Sequence, residues 1–437
     1  MIITILLSLG VGQPDTLALS LDAARARALE ANPTLLAERA EARAAGTMTG
    51  TASRAFLPSV RAEVMGMRTN DPVAVFGLKL RQGVFAGSDL ALDALNNPAA
   101  FGGFTSAAIV ELPLIAPEGW FGYGAAGKGA AAREAAASRM AGATVFFVSQ
   151  AYLDAQLAAH RLEALDTTLA AVRAHVRQAE LMHRQGLVTG LDARLASLQA
   201  ADLEVRRLAG AAEAANALSR LRALLAVPES TVLVLTDSIA DAPAPAPCAD
   251  ADSTCAVDTR GDLRALEAGF EAANAARKSA WAAQFPQIGA FGGLAYHGQD
   301  APWGTGSSDW TVGIALRWNV FPALGGIAAV QKASAEHEAA GARYDAARRT
   351  AEVEVLAAER MLQAARDGAA VAARAEVEAR EALAQAQVRY RTGAAPITEL
   401  LDVQSAATTA TLNLLTARRD LLLAQAALDF AYGVNDR

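Results

Sequence analysis

Two long stretches of this chain contain no proline and are filled with alanine, leucine, glutamate, glutamine and arginine, which are strong helix formers. They span residues 128–183 and 327–388. At 1.5 Å per residue, the first would form a helix roughly 80 Å long. Helices of this length are typical of coiled coils and of tunnel walls. The pattern therefore predicts a mainly α-helical protein with unusually long helices.

Four shorter segments alternate apolar and polar residues, as a β-strand with one apolar and one polar face does. The clearest is 310–321, where Ile314 lies on the apolar face and Arg317 on the polar face. The others are 56–67, 105–114 and the glycine-rich 287–296. A soluble sandwich has the same alternation. A membrane barrel explains more, because aromatic residues cluster near the strand ends as they do at a membrane surface. These residues are Trp120, Phe121, Tyr123, Trp303, Trp310 and Trp318.

The number of strands has a consequence for assembly. No segment after the N-terminus holds about 18 apolar residues without a charge, so no helix is expected to cross a bilayer. Any membrane-spanning part must then be a β-barrel. The smallest closed membrane barrels need about eight strands. Since one chain supplies four, a membrane barrel would require several copies.

The chain contains an internal repeat. Residues 32–60 align without a gap with 260–288, at an offset of 228, and Pro58 corresponds to Pro286. A second pair of landmarks, the turns at Gly186 and Gly393, is 207 residues apart, so the first half is 21 residues longer. Each half is expected to hold a helix, two strands, a very long helix, a glycine-containing turn and another long helix. The two predicted repeats are residues 13–226 and 260–437.

Two segments lie outside these repeats. Residues 1–12 resemble a secretory signal peptide, because small residues follow an apolar run, although no Lys or Arg precedes it. A buried strand, a helix start or a misassigned start codon are the alternatives. Residues 227–259 form a proline-rich linker with Cys248 and Cys255. Their close spacing in an exported chain favours a local disulfide, and two free thiols are the alternative.

Composition and motifs exclude several kinds of chemistry. The formal net charge of −7 offers no basic surface for a polyanion, so nucleic-acid binding is not expected. The five histidines stand alone and give no metal-ligand pattern. Residues 122–129 partly fit a phosphate-binding loop, but Gly129 occupies the place of the required Ser or Thr. These glycines are expected to relax a junction between strand and helix. We expect neither enzymatic activity nor a cofactor or metal.

The order of these elements and their repetition resemble the TolC family of outer-membrane efflux proteins. The likeness covers nearly the whole chain, and the residues that carry it are 19–24, 32–33, 56–58, 285–286 and the turns at Gly186 and Gly393; residues 70–82 also resemble a loop of one branch of the family. It implies a homotrimer in the outer membrane of a Gram-negative bacterium. Four strands per chain would make a twelve-stranded β-barrel in contact with outer-membrane lipid, continued by a long periplasmic α-helical barrel.

The resemblance also implies a function. The protein would be the passive exit duct of a tripartite efflux pump or a type I secretion system. Its partners would be a periplasmic adaptor protein and an inner-membrane transporter of the RND or ABC type. Two interpretations from other classes remain open: a soluble coiled-coil scaffold, and the periplasmic adaptor itself. An adaptor should carry one helical hairpin, whereas this chain has two.

Individual residues follow from the same resemblance. Glu399 and Asp402 match the family's entrance acids, which threefold symmetry would turn into a ring that attracts cations. Asp192 and Tyr390 match a pair that holds the entrance shut, although Ala395 replaces the basic residue that reinforces it. Asp192 and Glu399 are alternatively explained by the favourable effect of a carboxylate at a helix N-terminus. The residues expected at the adaptor-docking tips are Arg184, Gly186, Leu187, Arg391 and Gly393.

Overall fold

The structure is a computed structural model that describes residues 16–239, 259–303, 306–321 and 323–436. The predicted signal peptide and the predicted Cys248–Cys255 disulfide lie outside these residues. The described residues divide into two compact units. The helical unit takes its residues from Met1–Glu41, Glu134–Ala265 and Asp345–Arg437, and the sheet unit from Ala42–Arg133 and Leu266–Tyr344.

The prediction of a mainly helical protein with a small β part is confirmed. The helices are α1 (Leu21–Ala31), α2 (Pro33–Ala52), α3 (Pro72–Arg81), α4 (Leu92–Asn96), α5 (Pro117–Arg184), α6 (Gly190–Leu224), α7 (Gly261–Ala282), α8 (Ala323–Arg391) and α9 (Ile397–Ala431). The strands are β1 (Thr16–Leu19), β2 (Ser59–Thr69), β3 (Phe101–Ile115), β4 (Val232–Leu235), β5 (Gln287–Gly298) and β6 (Ser307–Arg317). No helix in the described ranges is both long and apolar enough to cross a membrane.

The sheet unit contains the four strands that alternation predicted. They form an antiparallel sheet in the order β2-β3-β5-β6, which leaves β2 and β6 as its edges within this chain. The last strand lies earlier in the chain than predicted, because it begins at Ser307 and ends at Arg317, which leaves Trp318 and Val320 beyond it. Trp318 instead donates its indole N–H to the carbonyl oxygen of Gln284 at 3.0 Å. Gly313 lies opposite Phe291 in the register, where a Cβ would come within 2.7 Å of the phenyl ring.

The two strand-to-strand connections differ in length. Residues 70–100 join β2 to β3 and contain α3 and α4, whereas residues 299–306 join β5 to β6. Asp71 caps α3 by accepting the amide of Ala74 at 2.8 Å. The segment after α3 is held by an ion pair of 2.6 Å between Lys79 and Asp89. The additional residues of the first half therefore include this folded connection.

One prediction about a junction is wrong. The glycines of 122–129 do not lie between strand and helix, since α5 already begins at Pro117, directly after β3 and Ala116. Proline is favoured at the first helical position, and Glu118 complements the helix dipole there. Gly119 allows a close approach, because a Cβ would lie 2.5 Å from the Cβ of Ala55.

The core of the helical unit lies where α1, α5 and the end of α6 meet the parallel pair of β1 and β4. Tyr152 of α5 is fully buried there and donates its hydroxyl to the carbonyl oxygen of Leu19 at 2.9 Å. Asn32 joins α1 to α2: its amide nitrogen donates to Leu224 O at 2.9 Å, and its oxygen accepts the amides at the start of α2. This explains why Asn32 precedes Pro33 in the sequence.

Candidate functional site at the two helix turns

The turns that join α5 to α6 and α8 to α9 have the same backbone geometry. Gly186 and Gly393 adopt φ of +73° and +75°, a left-handed conformation that suits glycine. The amide of Leu187 donates to Met182 O at 2.9 Å, and the amide of Ala394 donates to Arg389 O at 2.8 Å. Both helices thus end in a Schellman motif, in which the residue after the glycine bonds back by five positions.

Replacing Gly393 with alanine is expected to destabilise the α8–α9 turn by about 1 kcal/mol, because alanine is strained at this positive φ. Thermal unfolding followed by circular dichroism measures the effect. Gly368 is the matched control, since it lies inside α8 and a Cβ added there would meet no atom within 4 Å. Gly368→Ala should raise stability slightly through helix propensity. Equal effects of the two substitutions would contradict the expectation.

The helices that follow the turns start differently. Thr189 caps α6, and Asp192 completes a capping box by accepting the Thr189 amide at 2.9 Å and its hydroxyl at 2.8 Å. The N-cap of α9 is Pro396, which makes no side-chain capping bond. Glu399 lies in the first turn of α9 as Asp192 does in α6. Both carboxylates thus complement a helix dipole, which agrees with the alternative explanation that they stabilise a helix N-terminus.

An apolar cluster packs the two hairpins together next to the turns. We call it the tip cluster; its buried members are Ala196, Ala386, Tyr390, Ile397, Leu400 and Leu401. Leu400 has no exposed surface, and Ile397 is almost as buried. Burying side chains of this size stabilises by about 1.5–3 kcal/mol each. The starts of α6 and α9 are therefore held at the ends of α5 and α8 by packing.

The structure places Tyr390 inside the tip cluster with its hydroxyl buried. This hydroxyl has no hydrogen-bond partner in the described part of the chain. Burial raises the pKa of Tyr390, and the negative charge of Asp192 raises it further. Asp192 lies close enough to act on the phenol, but its carboxylate is engaged by Thr189. A buried hydroxyl without a partner costs about 1–3 kcal/mol.

The two acids predicted at the entrance, Glu399 and Asp402, lie one helical turn apart on α9 and differ in their surroundings. Glu399 is partly buried, and its Oε1 lies 2.7 Å from Nη1 of Arg389 near the end of α8. Asp402 is exposed and has neither an ion pair nor a hydrogen bond to the described residues. It lines a groove of about 860 Å³ between α8 and α9 whose other walls are mostly small side chains.

Arg389 was not among the residues predicted from the sequence. Its position directly before Tyr390, across the turn from Glu399, was the available signal.

The residues expected at the docking tips are exposed. Leu187 is 66% exposed, and Arg184 and Arg391 are exposed in the last turns of α5 and α8. Basic side chains at a helix C-terminus interact favourably with the dipole, so these arginines also have a local role. An exposed leucine beside exposed arginines provides both apolar and charged contacts for another protein.

Comparison with known proteins identifies similar chains. Residues 256–434 match the family described as Outer membrane efflux protein. No curated protein matches the chain. Three solved structures have the same fold: the CmeC outer membrane channel of Campylobacter jejuni, the outer membrane protein VceC of Vibrio cholerae, and the open state of the MtrE outer membrane channel of Neisseria gonorrhoeae.

These structures cover most of both chains at low sequence identity. CmeC is 17% identical over 95% of this chain and 86% of its own, with a TM-score of 0.80. VceC is 18% identical over 94% and 96%, with a TM-score of 0.78. MtrE is 18% identical over 94% and 88%, with a TM-score of 0.74. The likeness therefore extends through both units.

Proposed function

We propose that this chain, whose residues 256–434 match the outer membrane efflux protein family, forms the outer-membrane duct of a TolC-type efflux or secretion system. The observation that carries the proposal is the combination of an open four-stranded sheet with two long helical hairpins in one chain. The duct conducts passively from the periplasm to the exterior of a Gram-negative cell. The transporter that it serves selects the substrate.

The exposed side of β6 supports a membrane location for the sheet. Val312, Ile314 and Leu316 project from one face and are 70%, 74% and 63% exposed. Trp310 lies in the first half of the strand and Trp318 directly follows its last residue, and eight residues of extended chain span about 26 Å. Because the strands of outer-membrane barrels are tilted by about 35–45°, this length covers roughly 20 Å of height, which is most of the apolar band of about 25 Å that aromatic residues flank. A water-exposed protein would bury such a face.

The open edges of the sheet support a homotrimer. An unpaired strand edge exposes backbone donors and acceptors that lipid cannot satisfy. If β6 of one copy pairs with β2 of the next, three copies close a twelve-stranded barrel. The four long helices of each copy would then surround a periplasmic tunnel. The internal repeat is consistent with this arrangement, because α5 and α6 have 68 and 35 residues, and α8 and α9 have 69 and 35.

The two turns are proposed as the periplasmic entrance. Glu399 and Asp402 would face the bore, and Asp192 with Tyr390 would hold it shut, since the tip cluster packs the two hairpins against each other. The exposed Arg184, Leu187 and Arg391 next to Gly186 and Gly393 would bind the adaptor. The adaptor would connect the duct to an inner-membrane transporter of the RND or ABC type.

Conductance through planar lipid bilayers tests the proposal. The purified protein should form cation-preferring channels, because carboxylates at a constriction attract cations. Glu399→Gln combined with Asp402→Asn should lower the permeability ratio of K⁺ to Cl⁻ by at least about threefold. The matched control is Asp202→Asn with Glu204→Gln, two exposed acids of α6 in ion pairs away from the turns.

The outcomes separate the proposal from its alternatives. A soluble, non-conducting monomer would support the coiled-coil scaffold. Channels whose selectivity is the same in both double variants would retain the duct and remove the assignment of the entrance acids. Heat-labile trimers in outer-membrane extracts would be expected under the proposal alone.

A further inference from the structure

Arg389 is fixed beside the entrance acids by the turn at Gly393. Its carbonyl oxygen accepts the amide of Ala394 in the Schellman motif, so its backbone position follows from the turn. Its guanidinium then reaches the first turn of α9, where Nη1 lies 2.7 Å from Oε1 of Glu399. Arg389 is 56% exposed at its side chain, and Glu399 is 34% exposed. The pair therefore remains in contact with the solution at the turn.

The net charge of the side chains beside the turn is smaller than that of two free carboxylates. Glu399 and Arg389 together carry no net charge, whereas Asp402 lacks a charged partner among the described residues. Asp402 lies three positions after Glu399, so both project from neighbouring positions of one helix face. The Debye length at physiological salt is about 8 Å, and an ion near this face responds to the sum of all three charges. Neutralisation does not require a strong ion pair, because the positive charge only needs to stay nearby.

We propose that Arg389 is a specificity-determining residue of the duct. It offsets the charge of Glu399, so that each chain contributes the net charge of one carboxylate, that of Asp402, instead of two. The entrance thus prefers cations less strongly than a ring built from both acids would. This inference rests on the proposed function and assigns Arg389 a role beside the two acids.

Reversal potentials in a salt gradient across planar bilayers test the role of Arg389. Arg389→Gln should raise the permeability ratio of K⁺ to Cl⁻ by about two- to fivefold, because it releases the charge of Glu399. Glu399→Gln should lower the ratio, because an uncompensated arginine then remains. The double variant with both changes should return to the wild-type ratio within about 1.5-fold, because it removes a neutral pair.

Two controls exclude a merely structural effect. Arg389→Lys retains the positive charge and should keep the wild-type ratio. Arg206→Gln removes an arginine of similar exposure, paired with Asp202 at 2.9 Å on α6, and should leave selectivity unchanged. A distorted turn would alter conductance or trimer stability, but it would not restore selectivity in the double variant.

The inference is overturned if Arg389→Gln leaves the ratio unchanged or lowers it, or if the double variant behaves like Glu399→Gln alone. Both results would mean that the guanidinium does not act on permeating ions. They differ from failure of the proposed function, in which the unmodified protein forms no channel at all.

Discussion

Replacing Asp436 with alanine is expected to lower the free energy of unfolding by about 2–3 kcal/mol, because it removes the acceptor of a buried backbone amide and one of the two carboxylates beside Arg139. The side chain of Asp436 is 1% exposed. One of its oxygens, Oδ2, lies 3.2 Å from Nη1 of Arg139 and accepts the amide of Gly261 at 2.8 Å. Alanine would leave the Gly261 amide without its acceptor inside the helical unit. The guanidinium of Arg139 would keep its hydrogen bond to the carbonyl oxygen of Phe430 at 2.7 Å and its ion pair with Asp262 at 3.7 Å.

The presence of this buried ion pair does not by itself show that the pair stabilises the folded protein. Burial raises the pKa of Asp436 even though Gly261 and Arg139 favour its ionised form. The cost of ionising the carboxylate in the interior, together with the nearby negative charge of Asp262, therefore exceeds these attractions. The loss on substitution comes from the groups that are left behind: the buried Gly261 amide loses its acceptor, and the 13%-exposed side chain of Arg139 loses one of its two carboxylates. This guanidinium also lies 3.6 Å from the centroid of the Phe430 ring, and that contact would remain.

Urea unfolding of the protein in detergent, followed by helical circular dichroism, measures this loss. Glu378→Ala is the matched control, since Glu378 is an exposed carboxylate of α8 to which the structure assigns no ion pair. The control should change stability by no more than about 0.5 kcal/mol. If the free energy of unfolding fell by less than about 1 kcal/mol in both variants, the network around Arg139 would not stabilise the protein.

The sequence predicted the long helices well because their signal is local. An absence of proline and a surplus of alanine act residue by residue, and α5 and α8 follow them. The start of α5 was missed because glycine counts against helix in any local estimate. The favourable proline at position 117 and close packing at Gly119 outweigh that cost.

The contacts that hold distant segments together could not be predicted. Arg139 and Asp436 are 297 residues apart, and the sequence around either residue does not indicate a contact with the other. The fold of residues 70–100 was likewise missed, although Asp71 before Pro72 is a recognisable helix start. By contrast, Arg389 and Glu399 lie on either side of one predicted turn. Considering every charge near that turn, and not the acids alone, would have identified the pair.

The site residues were assigned by resemblance to a family. The structure adds their hydrogen bonds and burial, which a sequence pattern does not contain. Asp192 completes the capping box of its own helix, which a carboxylate three positions after a threonine predicts. The buried and unpartnered hydroxyl of Tyr390 follows from three-dimensional packing instead. Both residues keep their proposed role at the entrance, with this packing as the added physical constraint.

Replacing Ile314 with arginine is expected to prevent or strongly weaken assembly in the membrane. Ile314 lies near the middle of β6, opposite Ala290, and its side chain is 74% exposed on the apolar face. An arginine on the lipid-facing side near the bilayer midplane costs about 2–4 kcal/mol. Threefold symmetry would apply this cost three times in one trimer. Folding into lipid vesicles, followed by electrophoresis without heating, should show little heat-labile trimer.

Thr311→Arg provides the control within the same strand. Thr311 lies on the polar face of β6 with Asp309 two positions before it, so a new arginine there would meet water and a carboxylate. This variant should assemble as the unmodified protein does. The two substitutions add the same side chain to one strand and differ only in the face that carries it. Equal assembly of both variants would mean that the apolar face of β6 does not contact lipid, and the sheet would then have to be covered by protein.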